Sequence, residues 1–151
     1  NPKRNEIEIT DTLQGMIDSG LRIRCHLVHE WHELGKPWDV LNLNELFLQR
    51  APQSTHRGSR IRGVIDDNES VGENTVIDED ARVVGPSIIG SNCRIEGDAL
   101  VGPFCSVGDR SILDRCRVEG SVIMEGCKIG RKARIGYSIL GPGSYMGVGD
   151  T

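Results

Sequence analysis

The chain has 151 residues and a formal net charge of −4, from 18 basic and 22 acidic side chains. This balance does not indicate a nucleic-acid partner, which is usually bound through an excess of Lys and Arg. No stretch approaches the roughly 18 apolar residues of a membrane helix, so no membrane partner is expected. Glycine is frequent, at 19 residues, whereas Trp, Tyr and Phe occur only twice each. The core is therefore expected to consist of small aliphatic side chains.

The first part of the chain shows patterns of both strands and helices. Residues 6–9 and 21–28 alternate apolar and polar side chains, which predicts two short strands. Between them, Thr10 or Asp11 is suited to begin a helix, and Gly20 is suited to end it.

A second helix is predicted from Pro37, whose ring suits the first turn, with apolar residues at helical spacing up to Leu48. Residues 1–50 are too few to bury a core of their own, so we interpret them as the remnant of a larger α/β domain. Residues 51–62 have the composition of a linker. The chain starts at Asn1 with neither Met nor an apolar leader, which predicts a cytoplasmic protein that continues upstream.

Beyond the linker, an aliphatic residue recurs at every sixth position. The series consists of Ile65, Val71, Ile77, Val83, Ile89, Ile95, Val101, Val107 and Leu113. Small residues stand two positions earlier, at Thr75, Ala81, Ser87, Cys93, Ala99, Cys105 and Ser111. A period of six matches neither a helix nor a flat strand, but it matches a short strand followed by a corner. Three such hexapeptides would form one triangular coil, and each aliphatic residue would stack on its equivalent 18 residues later.

The register slips after Leu113 and resumes at Ile123. Residues 117–130 also match residues 134–147 at an offset of 17, so residues 63–151 would hold about five coils. This pattern resembles the hexapeptide-repeat family, whose members fold as left-handed parallel β-helices. The resemblance implies a mainly β protein in which such a β-helix follows the small α/β remnant.

The five cysteines are an odd number, and their spacing matches neither a zinc motif nor a disulfide framework. Cys93, Cys105, Cys116 and Cys127 precede aliphatic positions of the repeat by two residues. We therefore predict that they are reduced thiols packed in the core.

Many hexapeptide-repeat proteins are acyltransferases that use a histidine as general base. All histidines of this chain precede the predicted coils, at His26, His29, His32 and His56. Assembly into a homo-oligomer, a trimer or a dimer, is therefore the favoured role of the β-helix. An acyltransferase that uses acetyl-coenzyme A remains the alternative.

Two groups of polar residues could be read as binding sites, but we favour the interpretation that they have no binding role. The basic residues at Arg57, Arg60 and Arg62, and at Lys128, Arg131, Lys132 and Arg134, are interpreted as solvated linker and corner residues, in preference to an anion site. The three histidines from His26 to His32 lie in or beside a predicted strand, so their spacing does not favour a metal cluster.

Two segments before the repeat carry a second resemblance. Glu6-Ile-Glu-Ile-Thr-Asp11, followed by His29-Glu-Trp-His-Glu-Leu-Gly-Lys-Pro-Trp-Asp-Val-Leu-Asn-Leu-Asn44, resembles the closing segment of sugar-1-phosphate nucleotidylyltransferases. These include the long glucose-1-phosphate thymidylyltransferases, whose segments typically read E-[IL]-E-I-T-D and G-[WY]-W-x-D-T-G-K-P-E-D-L-L-x-A-N. The resemblance implies that the intact enzyme joins a sugar 1-phosphate to a nucleoside triphosphate and releases pyrophosphate.

The same resemblance implies one site residue. Glu33 occupies the place of the family's metal-binding Asp in W-x-D-T-G, so it is the predicted Mg²⁺ ligand. The family's phosphate-binding loop, G-x-G-T-R-L-x-P, does not occur in these 151 residues, so no catalytic or cofactor-binding residue is assigned. The chain alone is predicted to be inactive, and a noncatalytic regulatory subunit is a further alternative. Trp31 and Trp38 are expected to pack against the rest of the catalytic domain.

Overall fold

The structure is a computed structural model that describes residues 8–52, 54–55, 58–66 and 69–147. The chain forms two compact units, which divide between His32 and Glu33.

The first unit contains helix α1 (Ile9–Asp18). It begins before Thr10 and Asp11, so the prediction that one of these residues caps it is wrong. Glu8 is the N-cap and makes no capping bond with its side chain, which leaves no capping motif to read in the sequence. The predicted end is confirmed, because Gly20 has a φ of +81° and its N–H donates to the carbonyl of Ile17.

The two strands predicted before the repeat are not confirmed. Residues 21–28 form no strand, because the described residues supply no neighbouring strand to share ladder hydrogen bonds with them. In the segment 6–9, Ile9 begins α1, whereas Glu6 and Ile7 lie outside the described residues.

Helix α2 (Pro37–Leu48) has the predicted limits and belongs to the second unit. Asp39 stabilises its start, because its Oδ2 accepts hydrogen bonds from the backbone N–H groups of Gly35 at 3.0 Å and Lys36 at 2.8 Å. Residues 33–48 thus end in a well-capped helix with proline at its first position.

The remainder of the second unit is a solenoid of short parallel strands in three sheets, here called faces A, B and C. Face A contains β1 (Ser54–Thr55), β4 (Glu69–Val71), β7 (Ser87–Ile89), β10 (Ser106–Val107), β13 (Val122–Ile123) and β16 (Ile139–Leu140). Face B contains β2 (Arg60–Ile61), β5 (Val76–Ile77), β8 (Arg94–Glu96), β11 (Ile112–Asp114), β14 (Lys128–Ile129) and β17 (Tyr145–Met146). Face C contains β3 (Val64–Ile65), β6 (Arg82–Val83), β9 (Leu100–Val101), β12 (Arg117–Glu119) and β15 (Arg134–Gly136).

This arrangement confirms the mainly β fold with about five stacked coils. The offset of 18 is confirmed where Val71 pairs with Ile89, whereas Val107 pairs with Ile123, 16 residues later. Strands β1 and β2 lie within the range whose composition predicts a linker, so the first coil already includes part of residues 51–62.

The irregular stretch after Leu113 has a simple explanation. Val118 lies on face C, between Leu113 on face B and Ile123 on face A, and all three are buried. Each step is therefore five residues long, so two shortened corners preserve the stacking while the six-residue series breaks.

The aliphatic side chains of the repeat point into the solenoid and form its core. The fully buried members include Ile77, Val83, Ile95, Val101 and Leu113. Small residues are needed beside them, because their side chains join successive coils: the Thr75 hydroxyl, for example, donates to the carbonyl of Gly90 and accepts from the N–H of Cys93.

Four cysteines are free thiols buried in this core, as predicted: Cys93, Cys105, Cys116 and Cys127. Burial raises the pKa of the Cys93 and Cys105 thiols. Burial, together with the nearby Asp114 carboxylate, raises the pKa of Cys116 to about 12. These three thiols therefore carry little of the reactive thiolate near neutral pH.

We expect one fast-reacting thiol per chain when the native protein is titrated with Ellman's reagent at pH 8. Cys25 is exposed, whereas the four core thiols are buried and should react only after unfolding. The absorbance of the released thiolate, read with and without denaturant, measures both classes. Cys25→Ser should remove the fast phase, and two or more fast thiols in the native protein would contradict the expectation.

Candidate functional site

Helix α2 is fixed to face A by the side chain of Asn44. Its Nδ2 donates to the backbone carbonyl of Phe104 at 3.0 Å, and its Oδ1 accepts from the Ser106 hydroxyl at 2.5 Å. Leu48, at the end of the helix, is 3% exposed. One amide thus supplies both a donor and an acceptor to the solenoid, which sets the position of α2 against β10.

We expect Asn44→Ala to loosen α2 while the solenoid stays folded. The substitution removes both side-chain hydrogen bonds, at a cost of about 1–3 kcal/mol in the free energy of unfolding. Amide hydrogen exchange should show faster exchange in α2 and unchanged protection in the core strands. Asn42→Ala is the matched control, since Asn42 is exposed on the same helix. Equal exchange rates in the two variants would show that the two Asn44 hydrogen bonds do not hold α2 against the solenoid.

An aromatic groove of about 310 Å³ lies at the first turn of α2, lined by Pro37, Trp38, Leu41, Tyr137 and Ile139. Trp38 is 57% exposed and Tyr137 is 71% exposed. The Lys36 ammonium lies 5.1 Å from the centre of the Trp38 ring, within range of a cation–π contact. Two large rings with exposed faces therefore adjoin the junction of α2 and the solenoid.

Glu33 is exposed at the start of the second unit. In the part of the chain that the structure describes, no three His, Cys, Asp or Glu residues come together as a metal site. Asp39, the next carboxylate in the sequence, accepts the two N–H groups that begin α2. A single carboxylate does not make a Mg²⁺ site, so the residues present do not fit the metal without further ligands.

Among the histidines, His32 has a described partner. Its Nε2 lies 2.9 Å from Oε1 of Glu30, and both residues are in the first unit. His26 and His29 are exposed. The structure does not gather the three histidines into a metal cluster among the described residues.

The basic residues from Lys128 to Arg134 do not form one cluster. Lys128 lies on face B, and Arg131 forms an ion pair with Asp114 at 3.2 Å. Lys132 and Arg134 instead lie on a groove at face C, beside Arg115 and Arg117 of the preceding coil. The 17-residue offset in the sequence already aligns Arg117 with Arg134, and this alignment is the signal from which the pairing could have been found. Of the other predicted group, Arg60 is exposed and Arg57 lies outside the described residues.

The fold places the chain among hexapeptide-repeat β-solenoid proteins, and comparison with known proteins narrows this class. A family model described as the GMPPB C-terminal domain matches residues 83–149. The low-salt glycan biosynthesis nucleotidyltransferase Agl11 of Haloferax volcanii is 42% identical over 154 residues, which cover 97% of this chain and 42% of that protein. The bifunctional protein GlmU of Methanococcus maripaludis is 40% identical over 152 residues, covering 96% of this chain and 36% of that protein.

These matches support the prediction that the chain is a C-terminal part of a sugar-1-phosphate nucleotidyltransferase, as the motifs before the repeat imply. It spans 36 to 42% of the length of these two curated relatives. Among the described residues, no helix combines the length and apolar character that crossing a membrane requires.

Proposed function

We propose that the protein to which this chain belongs transfers a nucleotide from a nucleoside triphosphate to a sugar 1-phosphate. In this reaction a phosphate oxygen of the sugar 1-phosphate attacks the α-phosphorus, and pyrophosphate leaves. The observation that carries the proposal is the match to a nucleotidyltransferase of glycan biosynthesis along 97% of the chain. Glu33 is proposed to contribute one carboxylate ligand to Mg²⁺ in the whole protein, where the remaining ligands would come from outside the described residues.

Within that protein, the solenoid is proposed to serve assembly of a homo-oligomer, a trimer or a dimer. Its strands bury their aliphatic side chains inside and leave long faces available for contact. The exposed rings of Trp38 and Tyr137 beside α2 supply apolar area of the kind found at the centres of interfaces. The proposed setting is the cytoplasm, in accordance with the free state of all five cysteines.

Two measurements test these proposals separately. A pyrophosphate-release assay with sugar 1-phosphates and nucleoside triphosphates should detect turnover with the product of the complete reading frame and none with the 151-residue chain. Turnover by the chain alone would contradict its predicted inactivity, whereas no turnover by the complete product with any sugar and nucleotide tested would contradict the catalytic proposal. Sedimentation equilibrium of the chain tests assembly, and a monomer at micromolar concentration would contradict it.

The alternative functions make different predictions in the same assays. An acyltransferase would transfer acetyl groups from acetyl-coenzyme A to an amino sugar, although no histidine follows His56 to act as the usual base. A regulatory subunit would bind a nucleotide-sugar without turnover even as the complete product.

A further inference from the structure

Two arginines are stacked on the outer side of face C. Arg117 on β12 and Arg134 on β15 are direct register partners, so their backbones are about 4.8 Å apart. Both side chains are exposed, and neither forms an ion pair within the described ranges. Like charges directly opposite each other destabilise a sheet unless an anion lies between them.

The corner that leads into these strands adds two more cations. Arg115 and Lys132 occupy equivalent positions in successive coils, and the backbone N–H of Lys132 donates to the carbonyl of Arg115 at 2.9 Å. With Arg117 and Arg134 they line a depression of about 320 Å³. The guanidinium of Arg115 is held 3.1 Å from Asp114, which fixes one side of the depression.

Besides Asp114, which pairs with Arg115, two further carboxylates lie near these cations. Asp98 lines the same depression, and Glu119 follows Arg117 on β12. Neither forms an ion pair with an arginine or lysine in the part of the chain that the structure describes. With Asp114 included, four cations face three carboxylates, so the groove keeps one excess positive charge in a protein whose net charge is −4.

The groove continues into a second depression of about 340 Å³ that is less polar. It shares Arg117 and Arg134 with the first depression, and Leu100 supplies apolar surface on the same face. Gly136 leaves open space here, since a Cβ added to it would meet no atom within 4 Å. The site therefore has a cationic end and a less polar end, which the Glu119 side chain also lines.

We propose that this groove binds a small phosphate-bearing organic molecule. Its phosphate would lie between the guanidinium groups of Arg117 and Arg134, whose planar, forked donors match phosphate oxygens. Its uncharged part would lie over Leu100, in the space left by Gly136. Each depression is of the size that ordinary small-molecule sites have. The proposal is independent of the catalytic one, because the groove lies wholly within the solenoid.

Isothermal titration calorimetry of the 151-residue chain with adenosine 5′-monophosphate and with inorganic phosphate tests the site. The nucleotide should bind more tightly than inorganic phosphate, and Arg117→Gln and Arg134→Gln should each weaken its binding about tenfold or more. Lys128→Gln is the charge-matched control on face B and should change the affinity less than twofold. Gly136→Leu should weaken the nucleotide much more than inorganic phosphate, because it fills the less polar end without changing charge.

Several results would overturn the proposal. Absence of binding at millimolar concentration would do so, as would equal losses in Lys128→Gln and Arg117→Gln, which would indicate diffuse attraction. Nucleotide binding no tighter than that of inorganic phosphate, or unchanged by Gly136→Leu, would contradict the organic part of the ligand. Thermal unfolding without ligand gives a further check: Arg117→Gln should not lower the Tm, because it removes a like-charge contact, whereas a merely structural arginine would lower it.

Discussion

Replacing Leu113 with alanine is expected to lower the free energy of unfolding by about 2–5 kcal/mol. Leu113 is 0% exposed and lies in the middle of face B, between Ile95 of one coil and Ile129 of the next. The triangular interior has one aliphatic side chain per side of each coil, so no neighbouring large group is available to fill the cavity. The loss of stability is therefore expected toward the upper part of this range.

Urea unfolding followed by circular dichroism measures this effect. Ile112→Ala is the matched control, because Ile112 precedes Leu113 on β11 and its side chain is on the outer side of the sheet, partly exposed. It should cost less than about 1 kcal/mol, since surface substitutions remove few buried contacts. Similar midpoints for the two variants would contradict the inward and outward assignment of these residues.

Gly102→Ala is also expected to destabilise the protein strongly, through the backbone. Gly102 has a φ of +103°, in the region that favours glycine, and a Cβ there would collide with the carbonyl oxygen of Val84 in the preceding coil. It would also lie 2.8 Å from the Ser87 hydroxyl, which donates to that carbonyl and accepts from the N–H of Cys105. We expect a loss of more than about 2 kcal/mol, from strain and from disruption of this contact between coils.

The control for this prediction is Gly136→Ala. Gly136 lies on the same face, two coils further on, and a Cβ there meets nothing within 4 Å. Thermal unfolding should show a Tm for Gly136→Ala close to that of the parent, with a drop of several degrees for Gly102→Ala. Comparable Tm values for both variants would show that the approach of Gly102 to Val84 is unimportant.

The sequence predicted the solenoid well because its interior allows little choice. Each side of a coil has room for one aliphatic residue. A six-residue period therefore appears in the amino-acid sequence wherever the corners have equal length. Val118 falls outside the six-residue series, because two short corners place it five residues from its neighbours, and it is marked only by the small Cys116 two positions earlier. Periodicity therefore identifies the fold but not every member of the core.

The segment before the solenoid was predicted less well, for a different physical reason. The alternation in residues 21–28 describes a surface that is suited to a sheet, yet a strand exists only where another strand pairs with it. Helix α2 was predicted correctly, because Pro37 and the following apolar residues act locally.

The candidate binding groove was not predicted at all. A run of basic residues in the sequence suggests a cluster around Arg131, whereas the structure assigns Arg131 to Asp114 and brings Arg134 beside Arg117. Residues that are neighbours on one face of a solenoid are one coil apart in the sequence. Surface sites are therefore found by comparing equivalent positions of successive coils, and not by looking for runs of similar residues. The two hydrogen bonds of Asn44 join residues that are 60 and 62 positions apart in the sequence. Local sequence patterns could not predict them either.

Because the solenoid has three faces, the number of residues between two positions determines whether their side chains lie on the same face. Six extra residues at the corner near Glu125 would preserve an aliphatic interior, yet they would turn everything beyond that corner by one third of a revolution. Arg134 would then leave face C, and Arg117 would lose its neighbour. Eighteen extra residues would restore the orientation but separate the two arginines by a further 4.8 Å or so. Insertions outside residues 117–134 leave the two guanidinium groups together, whereas the outcome of an insertion between them depends on its length relative to one full turn.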